Sequence, residues 1–387
     1  MRRLRGRAGR MPALSVGAWI VAVAVVAGFA AWAEEKTASS EDEIVVTEMR
    51  LPTHGSGKKG LEAVMVRPGD GKAHPLALLT HGTPREATDR SDMTPLRWVP
   101  QAREFARRGW TAVIVMRRGF GDSGGGYAED GHACSDHPDF VDPTKEAVKD
   151  LREATEHLKT LPEVDAKARM IGVGVSTGGL AMVGLATDPP EGMAATISFA
   201  GGRGSNAPDH VCNEGVLVDA FEGFGKHAKV PMLWVYAEND HFFGPRLAQA
   251  FYQAYERGGG QAKFVGTGPF GEDGHGLFSL RGIPVWTPIV DEFLKSEGLL
   301  LRESLLPLRA PNVEAPAGLP PRAREEFPLY LLSAPHRAMA VSGGGHFAYV
   351  VGLRSAEEAV KKAMENCKRN AGRNDACVVV MVDEERK

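Results

Sequence analysis

Ala168-Arg-Met-Ile-Gly-Val-Gly-Val-Ser176-Thr-Gly-Gly-Leu-Ala-Met-Val-Gly-Leu-Ala186 is the stretch on which the fold turns. It opens as an apolar, partly β-branched run, narrows to Gly174-Val175-Ser176-Thr177-Gly178, and continues in small residues at helical spacing. The pattern reads as strand, sharp turn and helix, with a serine at the apex. Glycines on both sides tolerate a strained backbone and let the helix pack closely against the strand. Such a turn lifts a hydroxyl above the sheet edge, where it can serve as a nucleophile.

The bare G-x-S-x-G pattern is weak evidence, because the chain carries a second match, Gly121-Asp122-Ser123-Gly124-Gly125. That copy looks like the serine motif of trypsin-type proteases, but those are all-β double barrels whose triad runs His, Asp, Ser. Here strands alternate with helices, and Ser123 is followed by more glycine rather than by a helix. Ser176 is therefore read as the nucleophile and Ser123 as a flexible loop residue near the site.

At 387 residues the chain has room for one large domain and a smaller one. A formal net charge of −3 implies no polyanionic partner, and so no nucleic acid. Arg2, Arg3, Arg5, Arg7 and Arg10 precede an apolar stretch from Ala13 to Ala33, and Ala31-Trp32-Ala33 offers a small-x-small cleavage site. Residues 1–33 read as a signal peptide. The apolar stretch, at roughly 20 residues, is also long enough for an uncleaved membrane anchor. Either way the remainder is expected to be exported, periplasmic or secreted. Residues 34–42, acidic and Ser-rich, read as a disordered lead-in.

From residue 43 to 298 strand and helix patterns alternate. Glu43–Arg50 and Leu61–Arg67 suggest a hairpin, and Leu76–Thr80 a strand buried on both faces. Arg97–Gly109 has helical spacing, Thr111–Met116 is a strand, and Pro143–Leu161 a helix with Ala147, Leu151, Ala154 and Leu158 on one face. Beyond the serine turn come strand Met193–Phe199, helix Val216–His227, strand Pro231–Ala237, helix Pro245–Arg257, strand Ala262–Val265 and helix Trp286–Glu297. The expected fold is α/β: a mostly parallel eight-stranded sheet with helices on both faces, plus a small C-terminal α+β module. Sites in such sheets form at the carboxyl ends of the strands.

Three post-strand loops supply what Ser176 lacks. Asn239-Asp240 offers a carboxylate to orient an imidazole, and Gly271-Glu272-Asp273-Gly274-His275-Gly276 delivers a histidine. The candidate triad is thus Ser176, Asp240 and His275. The backbone N–H of Thr83 in His81-Gly82-Thr83, with that of Thr177, would bind an oxyanion. His81 is read as structural, holding that loop. Glu238, Glu272 and Asp273 compete with Asp240, and His241 competes with His275, but only His275 follows the last expected strand.

These motifs, with Arg118-Gly119-Phe120-Gly121-Asp122-Ser123-Gly124 and Ala237-Glu238-Asn239-Asp240, together resemble the dienelactone hydrolase-like branch of the α/β-hydrolases. The resemblance spans residues 43–298 and implies hydrolysis of a carboxylic ester, expected to be a small molecule, with the substrate left open. The same parts would serve a peptidase or a polyester depolymerase, and a non-catalytic envelope-binding protein on a hydrolase scaffold is the alternative of another class. Where the best-known members use cysteine, this chain has Ser176. No cofactor is expected. Cys134, His132 and His137 cluster locally but lack a spaced partner set, so no metal is expected either.

Export makes disulfides the default for the four cysteines. Closeness in the expected fold favours Cys134–Cys212 and Cys367–Cys377. Residues 299–327 carry Pro307, Pro311, Pro316, Pro320 and Pro321 and read as a linker. Residues 328–387 read as a ββαβ module: a hairpin around Gly343-Gly-Gly345, a helix Ser355–Asn370 opened by a capping box, and a strand Cys377–Val382. The module is expected to stabilise the body or to dock to an envelope component.

Overall fold

The computed structural model describes residues 43–372 and 375–387. The expected signal peptide or anchor and the expected lead-in fall outside these residues. Strands β1 (Ile44–Leu51), β2 (Leu61–Pro68) and β3 (Leu76–Thr80) come first, followed by helix α1 (Val99–Arg107) and β4 (Thr111–Val115). Next are α2 (Asp142–Leu158), β5 (Met170–Val175), α3 (Thr177–Leu185), β6 (Met193–Phe199) and a small hairpin, β7 (Ser205–Ala207) with β8 (His210–Val211). Then follow α4 (Glu214–Gly225), β9 (Met232–Ala237), α5 (Pro245–Arg257), β10 (Ala262–Thr267) and α6 (Ile283–Ser296).

Eight strands form one sheet in the order β1-β2-β4-β3-β5-β6-β9-β10. β2 runs antiparallel to both β1 and β4, and the other pairs are parallel. Parallel neighbours require crossovers, and the helices that make them cover both faces. Alternation along each strand divides the core. Leu78, Val113 and Trp234 pack on the side of α2, α3, α4 and α5, whereas Leu79, Ile114 and Val235 pack on the side of α1 and α6. Ala147, Leu151, Ala154 and Leu158 of α2, spaced three or four apart, are wholly buried. The central strands are apolar throughout because neither face meets water.

Beyond α6 the chain is not a loose linker. Leu306 N–H donates to Arg107 O (2.9 Å) and Arg107 Nε to Leu306 O (2.7 Å), so the segment is strapped along α1. Its last residues open a helix, α7 (Pro321–Leu332), where a linker was expected to continue to residue 327. The proline density that argued against regular structure was misleading, since Pro321 occupies the first helical position, where no amide hydrogen is needed. A four-stranded antiparallel sheet follows, built from β11 (Ala338–Ser342), β12 (Phe347–Val350), β13 (Cys377–Val382) and β14 (Glu385–Arg386), in the order β12-β11-β13-β14. Helix α8 (Ala356–Asn370) starts at Ser355, whose hydroxyl accepts from Glu358 N–H (3.1 Å), and buries Ala359, Ala363 and Cys367 against the sheet. Arginines fasten this module to the body: Arg103 Nη1 donates to Leu332 O (2.9 Å) and Arg354 Nη2 to Met93 O (2.6 Å).

Cys367 and Cys377 are disulfide-bonded, joining α8 to β13. With so small an apolar core, the module depends on this link. Cys367→Ser and Cys377→Ser are each expected to destabilise the module by about 2–3 kcal/mol, the chain-entropy value for so short a loop. Thermal unfolding checks this, and the double variant should add little to either single one.

Candidate active site

β5 ends at Val175 and α3 begins at Thr177, so Ser176 is the whole connection. Its φ of 57° and ψ of −123° lie outside the backbone regions an L-residue adopts freely. Ser176 N–H donates to Phe199 O (2.9 Å), and Ser176 O accepts from Leu180 N–H (3.0 Å) and Gly202 N–H (3.1 Å). The loop after β3 passes so near that a Cβ on Gly82 would stand 2.7 Å from Ser176 Cβ. Only glycine fits there. Ser176 lines a cavity of about 150 Å³ with Thr83, Thr177, Tyr127, Arg203 and Phe242. A larger groove of about 1160 Å³ lies between α2 and α4, where Val148 and Phe224 line it, and it contains none of the candidate residues.

Asp240 follows β9 and His275 follows β10, both at the carboxyl edge of the sheet. Asp240 is buried, and its two oxygens lie 3.2 and 3.1 Å from His275 Nδ1. Asp240 Oδ1 also accepts from the amides of Phe242 (2.7 Å) and Phe243 (2.9 Å). Burial pushes the Asp240 carboxyl upward, but the bond and charge of His275 and the two amides outweigh it, holding the group below its ordinary value. An ionised carboxylate only accepts, so Nδ1 carries a proton, and in the neutral imidazole Nε2 is the nitrogen that bears the lone pair.

The two loops are stapled together. Gly274 N–H donates to Asn239 O (2.9 Å), and Asn239 Oδ1 accepts from Phe270 N–H (2.7 Å). Asp273, a rival for the orienting role, instead accepts from the amides of His275 (2.9 Å) and His241 (3.0 Å). Glu238 and Glu272 are exposed, and His241 pairs with exposed Asp209 at 2.8 Å. Phe242 stacks on the His275 ring, centroids 3.8 Å apart and 13° from parallel. Arg85 Cζ lies 3.5 Å over the Phe242 ring. Both separations are too short to share one face, so Phe242 is sandwiched between guanidinium and imidazole. The structure brings Asp240 and His275 into contact, whereas among the described residues no hydrogen bond joins the Ser176 hydroxyl to His275. Such bonds are often long in unliganded enzymes and tighten around substrate.

Thr83 and Thr177 stand side by side, their hydroxyl oxygens 2.9 Å apart. Thr177 is the first residue of α3, so its N–H has no partner within the helix. His81 is fully buried; Gly82 O lies 2.8 Å from its Nδ1, and its Nε2 accepts from Arg117 N–H (3.1 Å). Burial, reinforced by the Arg117 charge, holds its pKa well below the ordinary histidine value. A neutral ring in this place fixes the loop.

Ser123 departs from the expectation of flexibility. Its hydroxyl donates to Met116 O (2.7 Å) and accepts from Glu62 N–H (2.9 Å), and the residue is buried. It pins the loop after β4 to β2. Cys134, in that same long loop, is bonded to Cys212 beside the β7–β8 hairpin, so its sulfur is not a metal ligand.

Sequence reasoning missed a buried ionic cluster under the cavity. Arg117 donates to Glu129 (2.5 and 3.2 Å), to Thr80 Oγ1 (2.7 Å), to His81 O (2.8 Å) and to Thr177 Oγ1 (3.3 Å). Arg203 donates to Glu129 Oε2 (2.6 Å) and Glu129 O (2.7 Å). In a sequence these look like ordinary loop charges. The one usable signal is that Arg117 follows Met116 directly at a buried strand end.

A sheet with one antiparallel entry, a strained serine between its fifth strand and the next helix, and a carboxylate and a histidine after its last two strands together decide the fold. The chain has the α/β-hydrolase fold. Residues 57–227 match the model of the X-Pro dipeptidyl-peptidase (S15) family, a span that holds Thr83, Ser176 and Thr177 and ends before Asp240 and His275. No curated protein matches the sequence. Among solved structures it is similar to an esterase of Pyrococcus furiosus, at 16% identity and TM-score 0.44 over 66% of this chain and 92% of that one. A thermophilic esterase of Thermogutta terrifontis gives 18% and 0.45 over 67% and 97%. The acylaminoacyl peptidase of Pyrococcus horikoshii gives 16% and 0.46, over 67% of this chain but only 43% of the peptidase. Likenesses of this size carry no weight for substrate.

Glu129 provides a test of the cluster. Burial would raise its carboxyl, but Arg117 and Arg203 hold it at about 2 against an ordinary 4.5. A folded pKa below the unfolded one means stability fully present above about pH 4.5 and lost as pH falls toward about 2. Glu129→Gln should cost about 3–5 kcal/mol by leaving two buried guanidinium groups unmatched, and should flatten that acid limb. Urea unfolding across this pH range measures both, and an unchanged limb would sink the assignment.

Proposed function

We propose that this hydrolase is an exported serine esterase that cleaves small carboxylic esters through Ser176, His275 and Asp240. The observation that carries the reading is the Asp240–His275 pair, set at the same sheet edge as the strained Ser176. Ser176 Oγ bonds to the ester carbonyl carbon while its proton passes to His275 Nε2. Thr83 and Thr177 amides take up the charge that develops on the carbonyl oxygen. The C–O bond to the alcohol breaks, the leaving oxygen receives the proton from His275, and an acyl-Ser176 remains. Water, giving its proton to the same ring, then releases the acid.

Two disulfides support an oxidising compartment and hence export. No helix among the described residues is long and apolar enough to cross a membrane. The C-terminal module is assigned a stabilising or docking role, for an envelope component. A second reading, a peptidase using the same residues, is favoured by the S15 match over residues 57–227.

Labelling with a fluorophosphonate, with turnover of p-nitrophenyl esters and of X-Pro p-nitroanilides, tests both. Ser176→Ala should abolish labelling and lower turnover by up to ~10⁶-fold, as loss of a triad serine does. His275→Ala should be similarly crippling, and His241→Ala mild. Selective cleavage of the anilides would replace the esterase reading by the peptidase one. A serine-independent protein inert toward both would be a binding protein on a hydrolase scaffold.

A further inference from the structure

We propose that the Thr83 side-chain hydroxyl is itself a catalytic donor to the developing oxyanion, with its proton turned into the cavity by a relay that begins at buried Arg117. The inference rests on Ser176 attacking a carbonyl in that cavity, and it adds a donor that neither the motif nor the backbone supplies.

The direction of each proton follows from what each group can do. A guanidinium has only donors, so at the Arg117 Nη2 contact of 3.3 Å the Thr177 oxygen must accept. Thr177 still has its own hydroxyl hydrogen to place. The one acceptor in hydrogen-bond range among the described residues is Thr83 Oγ1, 2.9 Å away. Accepting from a cation makes the Thr177 hydroxyl the stronger donor of the pair, so Thr83 Oγ1 accepts and its own hydrogen is left without a partner among the described residues. Thr83 lines the cavity together with Ser176. A substrate oxygen placed there meets the Thr83 hydroxyl in addition to the amides.

The origin of the relay matters. Arg117 is fully buried and shares Glu129 with Arg203, so two cations face one anion. The excess charge is aimed along Thr80, His81 and Thr177 rather than dissipated in water. A chain of hydrogen bonds that starts on a cation polarises each successive hydroxyl and strengthens its last member as a donor. The hydroxyl is useful only once negative charge builds on the substrate oxygen, so its effect should fall on kcat rather than KM. No atom of Thr83 is consumed: the hydrogen bond forms in the tetrahedral state and relaxes when the leaving group departs.

Thr83→Val keeps the shape and removes the hydroxyl, with Thr83→Ala as the substitute if valine overpacks. Either should lower kcat for p-nitrophenyl esters by about 10- to 100-fold, somewhat less than loss of a principal oxyanion donor. KM should stay within about 3-fold, since the loss is confined to the transition state. Thr83→Ser should return kcat to within about 5-fold of wild type, because it restores the donor. Affinity for an arylboronic acid, which forms a tetrahedral adduct on Ser176, should fall by the same factor as kcat/KM. Adding Thr177→Val to Thr83→Val should cost little more, since the two hydroxyls act in series. Wild-type kcat in Thr83→Val with Ser176 labelling intact would overturn the proposal, as would a Thr83→Ser variant no better than valine or a loss confined to KM. Turnover surviving Ser176→Ala would instead remove the nucleophile reading, and this inference with it.

Discussion

Ser176 sits at φ 57°, and a conformation that costs an ordinary residue about 1–3 kcal/mol persists only where its surroundings leave no alternative. Here the end of β6 accepts the Ser176 amide at Phe199 O, while α3 and the loop after β6 take the carbonyl through Leu180 and Gly202. The loop after β3 closes the fourth side, with Gly82 against the serine side chain. The sheet, the helix and two loops therefore share one point. The central strands have to be buried on both faces because this point requires helices packed above and below it.

Around that point the polar groups are arranged by burial. Asp240 is ionised in a buried place because two amides and an imidazole converge on it. The His275 ring is held edgewise by Asp240 and flat by Phe242, which Arg85 backs from its far side. Beneath the cavity, Arg117 performs a structural task and an electrostatic one together: it ties the ends of β3 and β4 to α3, and it keeps a positive charge out of water. A buried ion cluster of this kind adds little net stability but leaves few alternative arrangements for the loops that share it.

Much of this was legible in the residues. The places of Ser176 and Asp240 were readable because each comes just after an apolar run, and that of His275 because its loop follows the last expected strand; strand ends are where such sheets form sites. The Ser355 N-cap and the two cysteine pairings were readable for similar reasons, being local or dictated by neighbouring loops, although Glu358 accepts from Arg354 N–H and does not close the expected capping box. Ser123 was misread because glycine-rich sequence suggests mobility, whereas those glycines let the loop press against β2 and bury the hydroxyl. Helix α7 was hidden by Pro320 and Pro321, which occupy its N-cap and first position, where proline is tolerated. Arg117, Glu129 and Arg203 lie 12 to 86 residues apart, and nothing in a linear pattern says that they meet in one buried cluster.

The Cys134–Cys212 bond closes a covalent ring 78 residues along the chain. Ser176, α2, α3 and Arg203 lie inside that ring, while Asp240 and His275 lie outside it. A protease that cuts once anywhere between the two cysteines opens the ring but releases no fragment, and the serine stays tethered to its histidine. In a compartment where proteases act freely, a single nick in the most functionally loaded third of the body would leave one molecule rather than two.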